Sequence, residues 1–183
     1  MGVNIKIQES VILCNQQINF LKKNYGHFLR SNRPACFEDA LYHIENFIFR
    51  VTGYRDKLVQ FINQALRVGF NEKSTGVIGT IVSNGVVRDA YIDTELKRFD
   101  KDRDFKDVLS ERILMTHRRY YNTETGYSIM LGDKDNTREE NLKRLKQDIQ
   151  TRANRADRIV KKIIDINDRV MFKINDYFKK HPL

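Results

Sequence analysis

The stretch FEDALYHIENFIFRVTGYRDKLVQFINQAL, Phe37 to Leu66, decides the fold. Its apolar residues are Phe37, Leu41, Ile44, Phe47, Ile48, Val51, Tyr54, Leu58, Phe61, Ile62, Ala65 and Leu66. They return every three or four residues, and polar residues fill the positions between them. That is the repeat of a helix with about 3.6 residues per turn, sustained for about eight turns. A helix carrying one such stripe has to bury it against other helices.

Outward from this stretch the pattern repeats on both sides. Upstream, Ile7, Val11, Cys14, Ile18, Leu21, Tyr25 and Phe28 keep helical spacing from about Ile5 to Leu29. Ser31, Asn32 and Arg33 interrupt it, and Pro34 suits the first turn of the next helix. Downstream, residues 69–85 hold four of the nine glycines and read as a connection or a weak helix start. Within them VIGTIV (77–82) also passes for a short strand. Helix resumes near Asn84, with Val87, Ala90, Tyr91, Thr94 and Leu96. Asp100 to Asp104 reads as a solvated turn, with Asp104 placed to cap a helix carrying Phe105, Val108, Leu109, Ile113 and Tyr120. Residues 122–136 read as a loop. Thr137 to Glu140 forms a capping box. It opens a final helix on Leu142, Leu145, Ile149, Ala153, Ala156, Ile159, Ile163, Ile166, Val170, Ile174 and Phe178. The reading is an all-α, up-and-down bundle of four to six helices, two of them long, in a single domain over residues 1–183.

Composition agrees. With 183 residues the chain can bury a core without disulfides or a structural metal. Only 2 prolines, no tryptophan and 31% charged residues exclude collagen-like and Pro-rich disordered classes. Cys14 and Cys36 form no C-x-x-C pair, which favours reduced thiols. No signal-peptide pattern and no bilayer-length apolar run is visible, so a cytoplasmic, membrane-free protein is expected. The net charge is +9, unevenly spread. Residues 1–36 hold five Lys/Arg against one acid, and residues 133–183 hold fourteen against nine. Residues 37–132 hold fourteen of each. If the two ends pack together they form one basic face, suited to a phosphate-rich partner such as RNA. Otherwise the charge serves a soluble basic surface.

Metal and nucleotide motifs fail on their details. Gly76 and Gly79 lack the Gly-Lys-Ser/Thr that grips a phosphate. Asp100, Asp102, Asp104 and Glu111 have calcium-loop spacing, but Phe105 stands where that loop needs glycine. Cys14, His27, Cys36 and His43 match no zinc spacing. No metal and no cofactor is expected.

The segment RILMTHRRYY (112–121) carries the chemistry. Imidazole titrates near neutrality, so His117 can move a proton at cellular pH. The Arg112 guanidinium can hold a phosphate through two hydrogen bonds and stabilise developing charge. Arg118 and Arg119 can bind phosphates, and Tyr120 and Tyr121 can stack on bases. A bland reading stands beside this: a surface histidine near a helix end, and a tyrosine pair with one ring packed inward. Tyr54, Arg55, Asn63 and Arg67 on the long helix are pocket candidates by polarity alone. Five residues along a helix turn through about 500°, so Arg112 and His117 lie some 140° apart around the axis.

Arginine followed after four residues by histidine, late in an all-helical chain, resembles the HEPN superfamily (higher eukaryotes and prokaryotes nucleotide-binding). The segment ENFIFRVTGYRDKLVQFIN (45–63), with a later helix ending in THRRYY (116–121), is similar in layout to a family of small bacterial HEPN proteins. The resemblance implies a metal-independent endoribonuclease, a toxin or an anti-phage defence module. It also implies a homodimer whose two motifs meet at the interface, and a nucleotidyltransferase-type antitoxin as a partner. Many HEPN ribonucleases carry Asn, Asp or His directly after the arginine; here that position is Ile113. The alternative is therefore a catalytically inactive bundle serving as an RNA-binding or regulatory protein-interaction module. A DNA-binding regulator fits less well, because the helices are too long for a helix-turn-helix.

Overall fold

The computed structural model of the chain describes scattered positions between 8 and 30 and the runs 34–70, 77–117 and 138–182. Six helices occupy the three runs: α1 (Pro34–Ala65), α2 (Val77–Ser83), α3 (Gly85–Asp89), α4 (Ile92–Lys101), α5 (Arg103–His117) and α6 (Arg138–Lys180). Every described position between 8 and 30 is also helical, and no strand occurs among the described residues. The all-α expectation holds. The apolar positions proposed for the first helix, the loop at 122–136 and Thr137 of the capping box lie outside the described residues.

Pro34 opens α1, where its fixed φ fits and its missing N–H costs no hydrogen bond. The helix ends in a Schellman turn. Arg67 takes the left-handed conformation at φ 51°, its N–H meets the Gln64 carbonyl at 3.3 Å, and the Val68 N–H meets the Asn63 carbonyl at 3.0 Å. The buried Asn63 amide then binds both backbone groups of Phe70, donating and accepting at 2.9 Å. Asn63 and Arg67 thus turn the chain out of α1.

The stretch 77–83 is helical. Ile78 and Ile81, three residues apart, are both buried, as one helical face allows. A short strand would need a pairing partner, and the described residues supply none. Asn84 caps α3 by accepting from Val86 N at 3.0 Å and Val87 N at 3.4 Å. Between α3 and α4, Tyr91 sits in the left-handed region at φ 55°. The Lys173 ammonium donates to its carbonyl at 2.8 Å and holds that turn.

The core is one cluster. It joins Ile44, Phe47, Ile48, Val51, Tyr54, Leu58 and Ile62 of α1 to Phe99 of α4 and to Phe105 and Val108 of α5. The stripe Leu145, Ile149, Ala153, Ala156, Ile159, Ile163, Ile166, Val170 and Ile174 closes it from α6. Each large aliphatic in that stripe contributes roughly 1.5–3 kcal/mol by leaving water. The Phe99 and Phe105 rings meet at 3.9 Å between centroids and carry the core across the α4–α5 junction. The buried Tyr54 hydroxyl donates to the Ile163 carbonyl at 3.4 Å. Lys22 meets Asp157 at 2.7 Å, which lays the N-terminal stretch against α6 at that point.

Candidate active site

Helix α5 carries the proposed catalytic pair, and its start differs from the sequence expectation. Asp102, not Asp104, is the cap. Its backbone is extended, and its Oδ1 accepts from the Asp104 N–H at 3.0 Å and the Phe105 N–H at 3.4 Å. Asp104 lies inside the first turn and faces α6. There it accepts from Arg158 at 2.9 and 3.2 Å and from Lys162 at 2.9 Å. Asp102 also reaches Lys162, at 2.6 Å. The Arg158 hydrogen bond, helped by Lys162, holds the Asp104 carboxyl at about 2 against an ordinary 3.8, although burial pushes the other way. Burial also opposes the charge on Lys162, but its bonds to the two aspartates outweigh that and raise its pKa.

Two turns further on, both oxygens of Glu111 accept from Nη2 of Arg155, at 2.6 and 2.7 Å, with Arg152 3.6 Å away. Asp104 pairs with residues 158 and 162 and Glu111 with 155, so α5 runs antiparallel to α6. Phe105 and Val108 anchor the adjoining face of α5 in the core. Between the two helices lies an open groove of roughly 340 Å³, lined by Arg103, Arg152, Arg155 and Arg158 and by an equal number of acids.

Arg112 follows Glu111 directly and is half-buried, while Ile113 is 58% exposed. His117 is the last residue of α5. The pair therefore shares one helix, separated by five residues and about 7.5 Å along the axis. The His117 side chain lies outside the described residues, as do Arg118, Arg119, Tyr120 and Tyr121.

The other polar residues proposed from the long helix do not line this groove. Tyr54 is buried in the core, Arg55 bonds Asp100 at 3.0 Å, and Asn63 and Arg67 shape the end of α1. Among the described residues no group of three His, Cys, Asp or Glu is placed to hold a metal ion. The calcium-like aspartates face Arg55, Arg158 and Lys162 instead. No helix among the described residues is long and apolar enough to cross a membrane.

Sequence reasoning missed the arginine row on the α6 side of the groove, which pairs with Asp148, Glu111 and Asp104. Arg152, Arg155, Arg158 and Lys162 recur at three- and four-residue intervals, a row along one face of α6. That spacing was the available signal. A model of the family described as HEPN_Cthe2314-like HEPN matches residues 6–179. No curated protein and no solved structure matches the chain.

Proposed function

The chain belongs to the HEPN_Cthe2314-like HEPN family, and from that premise we propose that residues 1–183 form one HEPN domain that cleaves RNA without a metal ion. In this reading it works in the cytoplasm as a homodimeric toxin or anti-phage defence module, with a nucleotidyltransferase-type antitoxin as its partner. The observation that carries the reading is the setting of Arg112. It stands on α5, five residues before the terminal His117 and directly after Glu111, which lines the groove and pairs with Arg155.

His117 takes the proton from a ribose 2′-OH. The freed 2′ oxygen attacks the adjacent phosphorus, and the bond to the 5′ oxygen breaks. That oxygen leaves with a proton returned by an imidazole, His117 of the same or of the second protomer. The products are a 2′,3′-cyclic phosphate and a 5′-hydroxyl. Arg112 neutralises the charge that builds on the pentacovalent phosphate. Arg118 and Arg119 bind flanking phosphates, and Tyr120 and Tyr121 stack on bases.

End-labelled RNA, incubated with the protein in EDTA and resolved by length and end chemistry, tests this. Cleavage that leaves cyclic phosphates and disappears in a folded His117→Ala variant is the expected result. Cleavage that needs a divalent metal, or full activity in His117→Ala, overturns it. A second reading, an inactive module that binds RNA or a regulatory protein, is favoured by exposed Ile113. An apolar side chain there cannot orient the pair by hydrogen bonding. RNA binding without cleavage on any substrate selects that reading.

A further inference from the structure

The segment RFDKDRDFKD, Arg98 to Asp107, is neutral by sequence, with four cations and four aspartates. The fold removes that balance. Asp100 is held by Arg55 of α1, Asp102 by Lys162 of α6, and Asp104 by Arg158 and Lys162 of α6. Three cations from elsewhere in the chain therefore satisfy three of the four carboxylates. The segment's own cations, Arg98, Lys101, Arg103 and Lys106, all point to solvent. None of them has a carboxylate within ion-pair distance among the described residues, and Asp107 is the single acid beside them left without an ion pair. With Arg55, Arg158 and Lys162, seven cations share this elbow with its four acids.

We infer that the α4–α5 elbow is an RNA-backbone exosite, engaging phosphates of the strand outside the cleaved bond. The inference rests on the RNA reading above but not on the cleavage chemistry. Four exposed side chains on two helix ends, with no ion-pair partner to give up among the described residues, match a polyanion with evenly spaced charges. Phosphate contacts of this kind hold and orient a strand without reading its sequence. Arg103 and His117 are the two ends of α5, so the elbow stands about 21 Å from the proposed catalytic end. That is about six phosphates along a stacked strand at 3.4 Å each. The elbow would thus grip a strand several nucleotides from the scissile bond, and set the minimum length of a well-bound RNA.

Fluorescence anisotropy of a labelled single-stranded RNA of about 20 nucleotides tests this, titrated with full-length His117→Ala protein across a range of salt concentrations. The slope of log K against log salt should be about −5, since each single-strand phosphate contact contributes roughly −0.7 and the elbow cations act together with Arg112, Arg118 and Arg119. Lys101→Gln/Arg103→Gln/Lys106→Gln, with an unchanged circular dichroism spectrum, should weaken binding about tenfold or more at low salt and flatten the slope by about 2. If that triple variant unfolds, Lys101→Gln and Lys106→Gln singly should each flatten the slope by about 0.7. Unchanged affinity and slope in the folded variants overturn the exosite, as does a His117→Ala protein that binds no RNA. If binding depends on the elbow while the wild-type protein cleaves nothing, the exosite stands and the ribonuclease reading falls.

Discussion

Replacing Asp104 by asparagine removes the charge that ties the start of α5 to Arg158 and Lys162 of α6, and its cost should depend on pH in a defined way. The folded carboxyl sits at about 2 and its ordinary value is 3.8. The depressed value means that the folded state favours the ionised form. Its contribution is complete above about pH 4 and is lost as the pH falls toward 2. A gap of just under two pKa units corresponds to at most about 2.4 kcal/mol at about 1.4 kcal/mol per unit. Asp104 is only 14% exposed, but its partner Arg158 is 56% exposed and screened by water. We therefore expect about 1–2 kcal/mol. The chain has no tryptophan, so urea unfolding is best followed by far-ultraviolet circular dichroism, near pH 6 and again near pH 2.5. Asp104→Asn should be less stable than wild type by that amount near pH 6, and the difference should shrink by more than half near pH 2.5. Equal losses at both pH values would show that the carboxylate charge does not hold the junction.

Arg112→Ala should reduce RNA cleavage about 100-fold or more, by analogy with the loss of an oxyanion donor. Arg112→Lys should recover little of it, because lysine lacks the planar fork; single-turnover kinetics measure both. Asn63→Ala removes both hydrogen bonds to Phe70 in a buried setting and should cost about 1–3 kcal/mol in urea unfolding. Lys173→Met strips the 2.7 Å partner from Glu95, a residue only 7% exposed, and should destabilise by roughly 3 kcal/mol, visible as a lower Tm. Light scattering at micromolar concentration should find particles of twice 21.7 kDa for the homodimer.

The long elements were legible because their signal is redundant. A dozen apolar residues set the phase of α1, and eleven set that of α6, so no single misreading could displace either helix. VIGTIV was ambiguous because six residues rich in β-branched side chains satisfy both a strand and a short buried helix. Only the joint burial of Ile78 and Ile81 distinguishes the two. The exchange between Asp102 and Asp104 as cap was beyond reach of the sequence. The two aspartates are equivalent as residues, and their roles are set by Arg158 and Lys162, more than fifty positions away. Arg112 and His117 were readable as neighbours on one helix. The arginine row opposite was not, because arginines on a helix face look solvated until another helix lies against them.

The continuity of α6 has a consequence for how this gene can change. Its 43 residues run without a break for about 65 Å. Leu145 at one end and Ile174 at the other share one rotational phase. One codon added near Ala156 would turn everything beyond it by about 100°. Ile163, Ile166, Val170 and Ile174 would swing into water, and Lys162 would leave Asp102 and Asp104. Seven added codons bring the phase back to within about 20° but push the distal half some 10 Å along the axis, past its partners on α1 and α4. Length variation among relatives of this chain should therefore collect in the connections between helices and spare the interior of α6.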